Sequence, residues 1–121
     1  MPTSTKLPVP NAILLISDSN GGKAPERMRG KPIEATPSCI AVGCMADSNG
    51  KTDVTIGTPQ ELGEVADPAF DGELATPSRS VVVWTVAREI ILRAPTVHLK
   101  TRVRIWVNHP SEPDRVAIVL G

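Results

Sequence analysis

Turn-forming residues interrupt this sequence at short intervals: its 121 residues include twelve prolines and nine glycines. Between them lie short runs rich in Val, Ile and Thr, which favour strands over helices. Few segments are long enough for an amphipathic helix. The pattern predicts an all-β protein in which about seven or eight strands form an antiparallel two-sheet sandwich or a flattened barrel, with at most one short helix.

The expected strands follow these runs. They cover residues 12–17, 31–36, 38–46, 51–57, 97–107 and 115–120, and 79–94 is either two strands or one strand bent near Ala87-Arg88. Asn49-Gly50 is typical of a hairpin turn, so 38–46 and 51–57 are expected to pair as a hairpin. The one short helix begins at Pro59, with Thr58 as its N-cap and Glu61 as the capping-box partner.

A chain of this length fits one domain. Residues 1–11 are Pro-rich and are predicted to be a flexible N-terminal arm, which leaves 12–121 as a single β-sandwich domain. The apolar run at 12–16 is too short for a membrane span or for the hydrophobic part of a signal peptide. We therefore expect a soluble, cytoplasmic protein.

Both cysteines lie in the apolar sequence CIAVGC, at positions 39 and 44. Because side chains alternate along a strand, an odd separation places Cys39 and Cys44 on opposite faces, about 16 Å apart at ~3.3 Å per residue. A disulfide needs Cα atoms within about 7 Å, so they cannot bond unless Gly43 forms a bulge. We predict two reduced, buried thiols, with a reactive thiol or a metal ligand as the alternatives.

Strict alternation runs through residues 97–107. One face is apolar and is predicted to be core: Val97, Leu99, Thr101, Val103, Ile105 and Val107. The other face carries a cationic row with one tryptophan, the predicted partner-binding surface: His98, Lys100, Arg102, Arg104 and Trp106. Such a row suits an acidic protein surface. The alternative is a solvated strand face whose charges pair with Asp or Glu on neighbouring strands.

Charge is unevenly distributed although the net charge is zero. Six Lys or Arg oppose ten Asp or Glu in residues 1–78, and seven oppose three in residues 79–121. Five acidic residues fall in a predicted loop region without a base: Glu61, Glu64, Asp67, Asp71 and Glu73. These carboxylates either cover the cationic row within one molecule or meet it on a second copy, and we favour the homodimer. A calcium or magnesium loop is a further reading of such a cluster, but its spacing lacks the EF-hand signature.

Nucleic acid fits the composition poorly. Single-strand binders stack bases on aromatic side chains, and this chain has no Tyr, one Phe and two Trp. A zero net charge also gives no long-range attraction to a polyanion. Gly22-Lys23 resembles a nucleotide-binding P-loop in part, but Ser17 replaces its first Gly and Ala24 its hydroxyl residue.

Catalytic motifs are absent from the sequence, and no stretch matches the motif of a known family. We therefore predict a non-catalytic protein-binding or self-assembling module without a metal or cofactor. One alternative is a small hydrolase-like enzyme with a site near His109, Glu112 and Asp114, or with Cys44 as a thiol activated by a histidine. Another is a structural subunit of a larger assembly, with the Pro-rich arm ordering on contact.

Overall fold

The computed structural model of the chain describes residues 3–26, 31–63 and 67–121. These residues form ten strands. In chain order the strands are β1 (Thr3–Leu7), β2 (Ile13–Asp18), β3 (Ile33–Thr36), β4 (Cys39–Gly43), β5 (Thr52–Gly57), β6 (Phe70–Ala75), β7 (Ser80–Thr85), β8 (Ile90–Pro95), β9 (Lys100–Val107) and β10 (Arg115–Leu120). The single described α-helix, α1 (Pro59–Leu62), has the predicted capping box between Thr58 and Glu61. Two 3-10 turns cover Pro10–Ala12 and Asp47–Asn49.

The strands form two five-stranded sheets. The first sheet has the order β1-β5-β10-β9-β6, and the second has the order β3-β4-β2-β7-β8. Neighbours are antiparallel except β5 and β10, which are parallel. The predicted all-β two-sheet sandwich is confirmed.

Two strands arise where the sequence predicted none. Thr3–Leu7, part of the predicted flexible arm, instead pairs with β5 along its whole length. Phe70–Ala75, within the predicted acidic loop, instead pairs with β9. Both are edge strands, whose polar residues and Gly72 give a weak strand signal, so distant strands decide their conformation. The run 79–94 forms two strands, β7 and β8, joined through Arg88 at a positive φ of 64°.

The predicted hairpin between 38–46 and 51–57 is wrong. β4 belongs to the second sheet and β5 to the first, so the connection crosses from one sheet to the other. The backbone N–H of Cys44 donates to Ala12 and that of Met45 donates to Pro113, so the chain leaves β4 without turning back on it. Gly50 does supply a positive φ of 133°, as the turn sequence suggested.

The core lies between the two sheets and is built from alternate residues of each strand. Its largest fully buried side chains include Leu14, Ile16, Ile40, Ile56, Leu74, Ile105 and Ile118. Phe70 packs against this cluster, and its ring lies where a side chain at position 72 would project, 2.8 Å from the place of a Cβ. Gly72 is therefore required for Phe70 to fold inward from β6.

Candidate binding surface

The predicted alternation is confirmed along β9. Thr101, Val103 and Ile105 are fully buried, whereas Lys100, Arg102 and Trp106 are exposed and Arg104 is half-buried. The outward residues lie on the outer face of the first sheet. Trp106 is 37% exposed, so more than a third of this large side chain is open to solvent.

The alternation fails before the strand begins. Val97 and Leu99, predicted as core residues, are 81% and 59% exposed. They lie in the connection from β8 to β9, where Thr76 donates its backbone N–H to the Leu99 carbonyl and its hydroxyl to the His98 carbonyl. His98 is exposed in this connection, adjacent to the cationic row but outside β9. The alternation in the sequence begins three residues before the strand, and only the hydrogen bonds mark where β9 starts.

Part of the cationic row pairs within the molecule. Arg102 donates to both carboxylate oxygens of Asp71 on β6, Nε to Oδ1 at 2.9 Å and Nη2 to Oδ2 at 2.7 Å. The Arg102 guanidinium lowers the pKa of Asp71, and the same contact raises the pKa of Arg102. For Arg102, the alternative interpretation of the cationic row is therefore correct: its charge pairs with an acidic residue on a neighbouring strand. Glu64, another member of the acidic cluster, lies outside the described residues.

Arg104 makes a different contact: its Nη2 donates to the backbone carbonyl of Gly121 at 3.1 Å. Asp71 lies opposite Arg104 in the β6–β9 register but bonds the diagonal Arg102. Lys100 stands at the start of β9, exposed. Arg104 and Lys100 thus lie on either side of the Arg102–Asp71 ion pair, in which each charge is neutralised by the other.

Small side chains surround Trp106 on the outer face. Directly across the strands from it lie Ala117, then Thr55, then Ser4. A shallow depression of about 210 Å³ runs between Asp53, Arg115 and the indole. The strand register and alternation place eight charged residues on this face, five basic and three acidic: Lys6, Lys100, Arg102, Arg104 and Arg115, with Asp53, Asp71 and Glu73. The face is mildly cationic and carries one partly exposed aromatic side chain, Trp106.

A second feature, which the sequence pattern did not predict, lies at one end of the sandwich. A groove of about 520 Å³ is lined by residues 58–60, 95–98 and 120–121. The local signals in the sequence are Pro95, which ends β8, and the threonines at positions 96 and 101. They indicate that Val97 and Leu99 belong to a connection and not to a strand. The groove adjoins the outer face through His98 and Gly121, the acceptor of Arg104.

The residues of the alternative enzyme site shape a turn. His109, Glu112 and Asp114 are exposed between β9 and β10. Nδ1 of His109 accepts from the backbone N–H of Ser111 at 3.2 Å and of Glu112 at 3.0 Å. Oδ1 of Asp114 accepts from the Asn108 amide at 2.6 Å. One imidazole nitrogen, Nδ1, is thus bonded to backbone donors, which is a turn-stabilising arrangement.

The two thiols are free and buried, and they lie on opposite faces of the second sheet. Cys44 belongs to the central core, whereas Cys39 packs with Leu15 and Ala41 on the outer side. Burial raises the pKa of each thiol to about 11. Only the thiolate is a good nucleophile, so both groups are almost wholly in the unreactive form at neutral pH.

We expect labelling of Cys39 and Cys44 by a thiol reagent to be slow in the native protein and fast in denaturant. Burial limits access, and the raised pKa removes the thiolate. The measurement is the mass of the labelled protein over time, with and without denaturant. A native labelling rate near that of a free cysteine would contradict the placement of either thiol.

Within the three described ranges, no group of three or more His, Cys, Asp or Glu side chains is arranged to hold a metal ion. No helix in the described part of the chain is long and apolar enough to cross a membrane.

Comparison with known proteins finds similarity at the level of structure. No protein-family profile matches the chain, and no curated protein matches its sequence. The solved structure of ComJ from Bacillus subtilis, described as an inhibitor of the DNA-degrading activity of NucA, superimposes with a TM-score of 0.68 at 10% identity, covering 98% of this chain and 93% of ComJ. A protein described as crocagin biosynthetic gene J gives 0.52 at 11% identity, covering 99% and 96%. At these identities the likeness concerns the fold.

Proposed function

We propose that this chain is a non-catalytic protein-binding module that uses the outer face of its first sheet. The observation that carries the proposal is Trp106, an exposed aromatic on the outer face, with small residues across the neighbouring strands and Arg104 two residues before it. Trp and Arg are the residues most enriched among those that dominate binding energy at protein interfaces. The fold shared with ComJ, which is described as an inhibitor of the activity of NucA, supports a role outside catalysis.

The charges favour a partner with an acidic surface. Lys100 and Arg104 flank the Arg102–Asp71 pair, so a partner carboxylate can approach them without breaking that pair. Complementary charge speeds association and selects the partner, whereas the apolar centre supplies most of the affinity. In this proposal Trp106 is the anchor, and His98, Lys100, Arg102 and Arg104 form the polar rim.

The test is capture from the native host with the immobilised protein, comparing wild type with Lys100→Glu/Arg104→Glu. We expect the captured protein to be lost, with affinity for the purified partner reduced at least about tenfold, because two attractive charges become repulsive. The matched control is Arg88→Glu/Arg93→Glu, which makes the same charge change at two exposed positions of the β7–β8 pair in the second sheet. Equal capture by wild type and both variants would contradict the use of this face.

A second copy of the chain is a further candidate for the same face, since that face carries both signs of charge and the chain has no net charge. We expect a weak homodimer at low salt in analytical ultracentrifugation, and weaker association of Arg102→Glu/Arg104→Glu with the fold retained. A wild type that sediments as a monomer at high concentration and low salt would remove self-association and leave the Arg102–Asp71 pair as a purely internal contact.

A further inference from the structure

The connection from β8 to β9 carries the two most exposed large apolar side chains of the described residues, Val97 at 81% and Leu99 at 59%. Single exposed apolar residues are common on protein surfaces. These two differ because Val97 lines a largely apolar groove and Leu99 follows it by two residues in the same connection. A contiguous apolar patch with a polar border is typical of an interaction site.

Buried threonines hold this connection in place. Thr76 and Thr101 are fully buried, and their hydroxyls lie 2.8 Å apart. The hydroxyl of Thr96 lies 2.8 Å from that of Thr101, and Thr76 bonds the carbonyls of residues 98 and 99. These hydrogen bonds hold the backbone of the connection in the conformation that exposes Val97 and Leu99. A backbone that is already held in place lowers the entropy cost of binding.

The groove beside them has rigid walls. Pro59 begins α1 on one side, Pro95 ends β8 on the other, and Leu120 lies in the floor, where it is continuous with the core. A volume of about 520 Å³ falls within the range of roughly 300–1,000 Å³ found for binding pockets. The opening is wide, so the groove suits the side chains of a polypeptide segment better than an enclosed small molecule.

The charges around the groove determine which kind of polypeptide segment it can bind. None of its lining residues is Asp or Glu, and His98 is one of them. Lys100 follows two residues later, and Arg104 is bonded to Gly121 in the lining. Glu61, just beyond Gln60, turns back to accept from the Thr58 backbone N–H in the capping box. The groove therefore adjoins the cationic row at His98 and Gly121.

We infer that this end of the sandwich is a docking site for a protein segment whose apolar side chains are flanked by carboxylates. Val97 and Leu99 contact the apolar residues together with the groove, and His98, Lys100 and Arg104 meet the acidic ones. The inference rests on the proposed protein-binding function and adds to it a site at residues 95–99 and the chemistry of the segment that binds there.

The experiment is an NMR titration of the ¹⁵N-labelled protein with two synthetic peptides of equal length. Both have a Leu-Phe centre, flanked in one by Glu and in the other by Lys. We expect the Glu peptide to shift the amide signals of residues 58–60, 95–99 and 120–121, and to bind about tenfold more tightly than the Lys peptide. Shifts elsewhere, equal affinity of the two peptides, or no shift up to millimolar peptide would overturn the inference.

Matched variants test the contribution of the apolar pair. Val97→Ser/Leu99→Ser is expected to remove peptide binding without loss of stability, since both side chains are exposed. Val86→Ser/Ile90→Ser changes two other exposed apolar residues, at the β7–β8 end, and is expected to bind as wild type does. Binding that survives the first pair, or is lost equally in both, would contradict the assignment. Binding of phosphatidylserine vesicles that depends on Leu99, without peptide binding, would mean a membrane ligand and also overturn it.

Capture of the partner from the native host tests this inference and the proposed function separately. Loss of the partner in Lys100→Glu/Arg104→Glu but not in Val97→Ser/Leu99→Ser would leave the outer face as the binding surface and refute the end site. Loss in both pairs supports one continuous interface. Retention in both would refute the proposed function itself, whatever the peptides do.

Discussion

Replacing Asp18 with Ala is expected to lower the free energy of unfolding by about 3 kcal/mol, since two backbone N–H groups lose their acceptor inside the protein. Asp18 ends β2 and is 1% exposed. Its Oδ2 accepts from the N–H of Asn20 at 2.9 Å, and its Oδ1 accepts from the N–H and hydroxyl of Ser78 at 3.0 and 2.7 Å. The carboxylate therefore ties β2 to the turn that precedes β7. Chemical denaturation at neutral pH measures the loss.

The same carboxylate makes stability depend on acid. Burial by itself raises the pKa of Asp18, but the hydrogen bonds from Ser78 and Asn20 outweigh it, and the net effect lowers the pKa below the ordinary value of 3.8. Because the folded pKa is the lower one, the stabilisation is present above about pH 3.8 and is lost as the pH falls through the folded pKa.

The isosteric variant Asp18→Asn is the control for this charge effect. It keeps the shape and one acceptor oxygen, so it is expected to be less stable than wild type at neutral pH. Below the folded pKa the wild-type carboxyl is protonated, so the difference between the two proteins should narrow as the pH falls. A difference that stays constant with pH would mean that geometry, and not the charge of Asp18, stabilises this junction.

Replacing Ile105 with Ala is expected to cost about 3 kcal/mol, because deleting a fully buried aliphatic side chain loses transfer free energy and leaves a cavity. Ile105 is at the centre of the core, opposite Ile118 of β10 on one side and Phe70 of β6 on the other. Removing it weakens the contact between three strands at once. The measurement is the free energy of unfolding from chemical denaturation.

Lys100→Ala is the control on the same strand, since its side chain is exposed. We expect its unfolding midpoint to stay close to that of wild type. Comparable losses in the two variants would contradict the register of β9, since a shift by one residue exchanges its inner and outer faces.

Much of the fold was predictable from local pattern. In β9 the side chains alternate at every residue, and burial of one face follows directly from that alternation. The capping box at Thr58 and Glu61 was predictable for the same reason, since all its atoms come from four consecutive residues. The odd separation of Cys39 and Cys44 likewise predicted that they face opposite sides of the second sheet, although β4 ends at Gly43.

Long-range hydrogen bonds decided the rest. The sequences TSTKL and FDGELA contain too few apolar residues to predict strands. They form β1 and β6 because their backbones pair with the edges of β5 and β9. The connection after Cys44 reads locally as a hairpin turn, yet the acceptors at Ala12 and Pro113 carry it to the other sheet.

The candidate site shows the same division. Sequence alone determined that Lys100, Arg102, Arg104 and Trp106 share the polar face of one strand, because a two-residue period requires it. Tertiary structure decided that Arg102 is paired, since its partner Asp71 lies 31 residues away and is brought near only by the β6–β9 register. It also decided that Val97 and Leu99 face solvent, since Thr76, more than twenty residues earlier, holds their backbone outside the strand. Alternation is local, whereas the point at which a strand begins depends on which distant donors and acceptors reach it.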